Sequence, residues 1–375
     1  MQEPRTPAVD VTASTEPDPA VLREWDALVD HTPGSDVAQL SSWASIRQES
    51  GFDPLYVFAH EEDRLVGGAL VLERPLPMIG RVGYVSNGPV VSPAAPREPV
   101  VDRLSAAMER LARGRLRALF VQPPADARDV SVALRRRGFR RSESGIAPAA
   151  SIRVDLRRDI EDLRKGLTKA NRRRTRHWAE RGVRVRKGSG DDIPVVADLV
   201  GRSAEHQQFE PLSAGYIENL HRELDAEQHA AVFVAEIDGS PAAALLCTQC
   251  GGVVKQRLSG MERSERARRD GVSAATVWRA MEWAKANGYH TYDFGGISVR
   301  AADALLGGEP ESSAPLKGTE RFKTSFGGEV FRYPEPVELL SSPTLRLAYD
   351  ISRRTRAGGR LVQIAKRMLR GGRRS

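Results

Sequence analysis

The chain has 375 residues, 40% of them hydrophobic, and a net charge of +8. That length exceeds one ordinary core and predicts two domains, while no stretch nears the roughly 20 apolar residues of a membrane span. The cationic excess points to polyanionic partners: RNA, nucleotides or an anionic membrane surface.

Residues 1–18 are rich in Pro, Thr, Asp and Glu and have no apolar core. They read as a disordered tail rather than a signal peptide, which predicts a cytoplasmic protein, peripheral at the inner face of the membrane if it binds there at all. One block then occurs twice. Val57-Phe58-Ala59-His60-Glu61-Glu62-Asp63 runs on to Ala69-Leu70, and 175 residues later Val232-Phe233-Val234-Ala235-Glu236-Ile237-Asp238 runs on to Ala244-Leu245. Each copy has the pattern of strand, acidic turn and second strand, a hairpin. A helix near Val101–Arg113 and a strand Ala118–Gln122 follow the first copy. A helix Ser273–Asn287, with Ser273 as N-cap and Gly288 as C-cap, and a strand Thr291–Phe294 follow the second.

Hairpin, helix, strand is the order of an N-acetyltransferase-type (GNAT) α/β domain. The predicted architecture is therefore α/β, with two tandem GNAT-like domains at 19–148 and 149–335. The segment 336–375 reads as a basic helical tail, packed on the first domain or on a membrane surface. Leu361, Ile364, Ala365, Met368 and Leu369 share one helical face there, among many arginines. Cys247 and Cys250 have C-x-x-C spacing but lie in an apolar run, which reads as two thiols in a core strand; no metal site is expected.

An acetyl donor on coenzyme A needs a glycine-rich turn opening the helix after the hairpin, where backbone N–H groups meet phosphate. Arg268-Arg269-Asp270-Gly271-Val272-Ser273 is a degenerate version with one glycine, and Pro96 and Pro99 remove donors from the first copy's equivalent. Neither is a good coenzyme A cradle. Between Arg164 and Lys187 there are eleven Arg or Lys and one acid, Glu180, with Trp178 interleaved. Such a stretch can track an RNA backbone, or be a solvated face.

Two segments stand out near the end: Tyr292-Asp293-Phe294-Gly295-Gly296-Ile297 and Phe322-Lys323-Thr324-Ser325-Phe326-Gly327-Gly328. They place one lysine between two aromatics, beside glycine pairs. With Ser42-Trp43-Ala44-Ser45-Ile46-Arg47, Tyr84–Val90, Lys169–Arg174 and Gly182-Val183, they resemble, in order, the motifs of the Fem family (FemABX) of aminoacyl-tRNA-dependent peptidyl transferases. The resemblance implies transfer of an amino acid from its tRNA ester to an amine, usually on the stem peptide of a peptidoglycan precursor. It implies the short form lacking a helical arm, with Lys165–Gly182 as a single helix.

Residue by residue, the resemblance implies that Arg47, standing where the family has a lysine, contacts acceptor phosphate with Trp43 beside it. Tyr216 matches an acceptor-binding tyrosine, although Leu212 replaces its companion arginine. Arg257 lies near another acceptor position, and Gln122 replaces an aspartate. Lys169, Arg172, Arg173 and Arg174 are the tRNA-binding candidates. Lys323 is the candidate donor to the oxyanion of the transferring ester, with the backbone at Phe322 positioning the nucleophile. The alternatives at these positions are a salt-bridged Lys323, a surface Arg47, and an Asp293 that is structural, for example as a partner of Arg321.

The expectation is an aminoacyltransferase with aminoacyl-tRNA as co-substrate and no bound cofactor. Competing readings are tRNA-dependent transfer to a small acceptor in antibiotic biosynthesis, an acyl-coenzyme A N-acyltransferase, and a catalytically silent RNA- or membrane-binding protein.

Overall fold

The computed structural model describes residues 9–354 apart from 78, 146, 208–209 and 309–315. Strand β1 (Val9–Ser14) leads to helices α1 (Pro19–His31) and α2 (Ser41–Glu49) and the hairpin β2 (Asp53–Glu61) and β3 (Arg64–Leu76). Then come β4 (Gly80–Ser86), β5 (Val90–Val91), α3 (Arg97–Arg113), β6 (Ala118–Gln122), α4 (Arg128–Arg136) and β7 (Arg140–Arg141). The next stretch runs β8 (Ala150–Asp155), α5 (Ile160–Gly166), α6 (Lys169–Arg176), β9 (Val183–Lys187), α7 (Ile193–His206) and α8 (Ala214–Asp225). The second hairpin, β10 (Ala230–Ile237) and β11 (Ser240–Cys250), precedes β12 (Val253–Met261), α9 (Glu265–Asp270), α10 (Val272–Ala286) and β13 (Thr291–Ile297). Helices α11 (Val299–Leu306) and α12 (Gly318–Thr324), strands β14 (Glu329–Arg332) and β15 (Val337–Leu340), and helix α13 (Pro343–Arg354) follow.

The chain divides into two compact units: Pro148–Arg332, and the chain before it together with the segment resumed at Tyr333. The first unit's sheet has the order β1-β2-β3-β4-β6-β15-β7, with β5 paired to β3; the second has β14-β8-β13-β12-β11-β10-β9. Each is a mixed sheet with one parallel pair, β4 with β6 and β12 with β13. Alternate side chains of β2 (Leu55, Val57, Ala59) meet Val100, Leu104 and Met108 of α3, a strand period of two facing a helix period of four. In the second unit Phe233, Leu245, Val254 and Tyr292 of the sheet pack with Trp278 and Met281 of α10.

The duplicated hairpins differ in one respect. The turn falls after Glu61 in the first and after Ile237 in the second, one residue later than the repeat implies, so Phe58 faces Gly68 whereas Phe233 faces Leu245. The slip is two residues, which keeps every side chain on its own face of the sheet.

Several expectations need correction. Residues 9–14 are not a disordered tail: they form β1, paired with β2, and Val9 is buried in the core while Val11 packs against it. A polar composition had hidden a Val-x-Val alternation. Nor does 336–375 begin as a helix, since Val337–Leu340 inserts as a strand between β6 and β7. The amphipathic positions Leu361–Leu369 lie outside the described residues. The single helix over Lys165–Gly182 is broken at Leu167 and Thr168, because Leu167 turns into the core and the Thr168 N–H donates to the Ser325 carbonyl at 3.0 Å. At α10 the N-cap is Gly271, while the Ser273 hydroxyl points to Met261 Sδ at 3.0 Å.

Cys247 and Cys250 are buried free thiols in β11. Burial pushes the Cys247 thiol up to about 12, so it is inert at neutral pH.

Candidate active site

The two copies diverge where their parallel strands meet. In the first unit β4 and β6 stay paired over five residues, from Val82 against Ala118 to Ser86 against Gln122. In the second unit β12 and β13 pair only from Val253 against Thr291 to Lys255 against Asp293. Both strands are bulged just beyond. Leu246 pairs Leu258 while Cys247 pairs Gln256, so Arg257 is the extra residue of β12. On the other side, Asp293 pairs Arg153 while Gly296 pairs Ser151. Bulges bend strands and end pairing, so the sheet opens after Lys255 and Asp293.

Asp293 organises this opening. Its side chain is buried, accepts from Arg153 Nε at 2.9 Å and from the Gly295 N–H at 2.8 Å, and receives the Ser151 hydroxyl. Burial alone would raise its pKa. The charges of Lys255 and Arg153 and the bonds from Ser151 and Gly295 overcome that and hold it below the usual carboxylate value. Its partner is thus Arg153, not Arg321. Capping by Asp293 stabilises Gly295 at φ +76°, a left-handed conformation that favours glycine. The bulge turns the Gly296 carbonyl toward α12, where Lys323 Nζ donates to it at 2.7 Å.

Lys323 is therefore not lodged between its flanking aromatics. Phe322 and Phe326 pack edge to face at 5.2 Å, and Phe326 continues through Phe294 to Tyr292 as an aromatic row in the core. Phe322 in the last turn of α12 and Phe326 in the turn just after it come together, leaving the lysine to project beside them. A Cβ added at Gly295 would lie 3.9 Å from Lys323 Nζ and 3.5 Å from the Gln256 carbonyl oxygen, so the glycine borders both the lysine and the bulged strand. Burial lowers the Lys323 pKa from its ordinary value, and the charges of Asp293 and Glu320 oppose that shift. The result is a half-buried ammonium with donors to spare beside a glycine-lined opening, an arrangement able to stabilise an oxyanion. Ser151, Arg153 and Lys255 were not singled out from the sequence. The visible signal was Ser151 and Arg153 at spacing two, alternating with the apolar Ala150, Ile152 and Val154 of β8.

The other candidates fall into separate groups. Trp43 and Arg47 lie one turn apart on α2 in the first unit. Arg47 is not a surface arginine but only 5% exposed, with its guanidinium 4.3 Å from the centre of the Phe52 ring. Arg74 approaches the same ring at 5.1 Å. Burial and the like charge of Arg47 lower the Arg74 pKa, so two cations are concentrated there. Gln122 is buried and donates from Nε2 to the Pro334 carbonyl at 3.1 Å. Tyr216 stands half-buried in the first turn of α8, and Arg257 half-buried in the β12 bulge.

On α6, Lys169, Arg173 and Arg176 are exposed, at spacings of four and three that put them on one face. Arg172 and Arg174 are half-buried. Trp178, interleaved among these basic residues, is half-buried and packs against the core. Arg174 has a separate position. A Cβ at Gly271 would lie 2.4 Å from Arg174 Cδ, so the arginine stem lies directly on the turn that opens α10. The Gly271 N–H is itself engaged by the Ala267 carbonyl at 3.1 Å. Among the described residues no group of three His, Cys, Asp or Glu could hold a metal ion.

Residues 135–324 match the family model described as an acetyltransferase (GNAT) domain. The lipid II:glycine glycyltransferase of Staphylococcus saprophyticus is 23% identical over 227 residues, which cover 58% of this chain and 54% of that protein. The chain thus spans about half the length of the curated relatives it matches. The crystal structure of FemX superposes with a TM-score of 0.75 at 17% identity, covering 87% of this chain and 98% of that one. A tandem GNAT protein from the clavulanic acid biosynthesis pathway superposes at 0.53 with 14% identity, covering 90% and 99%. With its two GNAT-like sheets, and with half of its length matching that family's model, the chain belongs to the acetyltransferase (GNAT) domain family, and its fold is similar to that of FemX.

Proposed function

We propose that this chain is an aminoacyltransferase that moves an amino acid from aminoacyl-tRNA to an amine on a peptidoglycan precursor stem peptide. The observation that carries the reading is Lys323 Nζ held on the Gly296 carbonyl at the mouth of the parted β12 and β13. In the reaction the acceptor nitrogen attacks the ester carbonyl, the C–N bond forms, the bond to the ribose oxygen breaks, and the amine proton ends on that oxygen. The chain's part is to align the reactants and offer the Lys323 ammonium to the oxyanion, with the Phe322 backbone guiding the nucleophile. No resident cofactor is required. Arg47 and Trp43, with Tyr216 and Arg257, are the proposed acceptor contacts. The lipid II:glycine glycyltransferase relatives support a cell-wall acceptor.

The occupied turn at Gly271 favours a donor other than coenzyme A. The Gly271 amide is already bonded to the Ala267 carbonyl and the Arg174 stem lies against the glycine, so the turn offers a phosphate one donor fewer and less room for close approach. Isothermal titration with acetyl-coenzyme A is expected to show no micromolar binding; such binding would make an acyl-coenzyme A N-acyltransferase the better reading.

The exposed row Lys169, Arg173 and Arg176 supports tRNA binding. Reversing Lys169 and Arg173 to glutamate should weaken tRNA affinity and lower the slope of log affinity against log salt by about two, roughly one per lost phosphate contact. An unaltered slope in a filter-binding salt series would return α6 to a solvated face. Arg172→Glu and Arg174→Glu bear on packing as well as charge, so they test the point less cleanly.

Gln122, an amide tied into the protein where the resemblance expects a carboxylate, keeps open a small-molecule acceptor of the kind used in antibiotic biosynthesis. Incubation with a pool of radiolabelled aminoacyl-tRNAs and either a stem-peptide precursor or small amines decides the matter. Label appearing in the precursor is the expected result, and label only in small amines overturns the choice of acceptor.

A further inference from the structure

In the first unit a small cavity lies at the end of β6. Tyr84 and Phe120, neighbours across the parallel pair β4 and β6, wall it together with Gln122, Ser142 and Ser144. Its volume is about 20 Å³, room for one group the size of a water molecule or an amine nitrogen. The exposed Gly145 lies on its rim, so the cavity reaches the surface.

Gln122 is only 2% exposed, and its Oε1 is buried without a hydrogen-bond partner. The other end of the same amide is well held. Nε2 donates to the Pro334 carbonyl at 3.1 Å and, more weakly, to the Pro123 carbonyl at 3.4 Å. Those two carbonyls fix the orientation, because a flipped amide would set oxygen against oxygen. Oε1 is therefore left for the cavity, and a buried acceptor without a partner calls for a ligand or a water.

The serines add lone pairs rather than protons. Glu338, salt-bridged to Arg346 at 2.8 Å, accepts the Ser142 hydroxyl at 2.5 Å. Ser142 has one proton and gives it to the carboxylate, so the 2.8 Å contact between the Ser142 and Ser144 hydroxyls is made by the Ser144 proton. Both hydroxyl protons thus run toward Glu338. Gln122, Ser142 and Ser144 together offer the cavity acceptors alone. A carboxylate placed there would meet oxygen with oxygen. An amine or amide nitrogen would satisfy Gln122, and an ammonium would also be drawn to the aromatic wall.

We propose that this cavity is a ligand subsite of the first unit. It takes the N–H-bearing end of a small molecule or peptide side chain, a carboxamide or a primary ammonium, and excludes a carboxylate. Occupancy is measured without tRNA and without turnover, so its failure and a failure of the transfer chemistry are separate results.

The test compares three probes with one body and different ends: the N-acetyl methylamides of glutamine, lysine and glutamate. Their affinities for the full-length chain are measured by saturation-transfer NMR titration. The glutamine or the lysine probe should bind about tenfold tighter than the glutamate probe, and the ratio of the two tells carboxamide from ammonium. Gln122→Met, similar in length but without the acceptor, should weaken the preferred probe by about tenfold. That variant also loses the Pro334 contact. Ser144→Ala keeps Gln122 in place and should weaken the preferred probe by about threefold at an unchanged melting temperature. The proposal is overturned if no probe binds, if the glutamate probe binds as well as the others, or if either variant, once folded, binds the preferred probe as wild type does. It is also overturned if a crystal soaked with that probe keeps an ordered water on Gln122 Oε1, since the acceptor then serves a structural water only.

Discussion

Replacing Lys323 by methionine is expected to lower aminoacyl transfer by ~100- to 1,000-fold, with the loss in kcat and with the fold and aminoacyl-tRNA affinity retained. Methionine keeps most of the apolar stem and removes the ammonium, so the bond to the Gly296 carbonyl disappears while the neighbouring Phe322 and Phe326 rings keep their edge-to-face contact. The loss belongs in kcat because the negative charge that Lys323 meets develops only as the ester carbonyl becomes tetrahedral. Single-turnover transfer and thermal melts of both proteins make the measurement. A well-folded mutant that transfers at the wild-type rate would remove Lys323 from the mechanism. A pH dependence accompanies the prediction. Only the protonated amine donates usefully, and burial lowers its pKa, so transfer should decline as pH rises through a value below that of a free lysine. The alkaline limb should be absent from the Lys323→Met profile.

Asp293→Asn should have the largest effect on stability, about 3–5 kcal/mol, the usual cost of removing one partner from a buried ion pair. The carboxylate is buried against Arg153, Ser151 and the Gly295 amide, with Lys255 nearby. Asparagine fits the space but lacks the charge. Because the native pKa of Asp293 is held below its unfolded value, its contribution is present above the unfolded pKa and is lost as pH falls through the depressed native value. Urea unfolding at neutral pH and at about pH 3 should show the mutant and wild type converging in acid. A second readout separates positioning from simple destabilisation. Asp293 favours the charged form of Lys323, so in folded Asp293→Asn the alkaline limb of transfer should move to lower pH. A destabilised mutant with the wild-type pH profile would mean that Asp293 supports the bulge but does not tune the lysine.

The sequence alone determined the duplicated hairpins, the helix and strand after each, and hence two GNAT-like units, because these follow from local periodicity and turn chemistry repeated 175 residues apart. The residues of its specific motifs also singled out Lys323 and the glycines at 295 and 296. The environment of that lysine was not legible. Its placement on the Gly296 carbonyl depends on a bulge in β13, and the bulge depends on Ser151 and Arg153, some 140 residues earlier in the chain, reaching Asp293. The break in the basic helix likewise comes from a distant carbonyl, that of Ser325, accepting the Thr168 amide. Strand β1 was masked because its residues are polar on average, and only pairing with β2 makes Val9 and Val11 core residues. The first unit's sheet is completed by β15, a strand that follows the whole second unit in sequence and has no local pattern linking it to β6. Local propensity can specify elements and their order. Which strand completes a sheet, where a parallel pair parts, and which carboxylate faces a lysine are decided by contacts between residues far apart in the chain, whose free energy exists only once the core has formed.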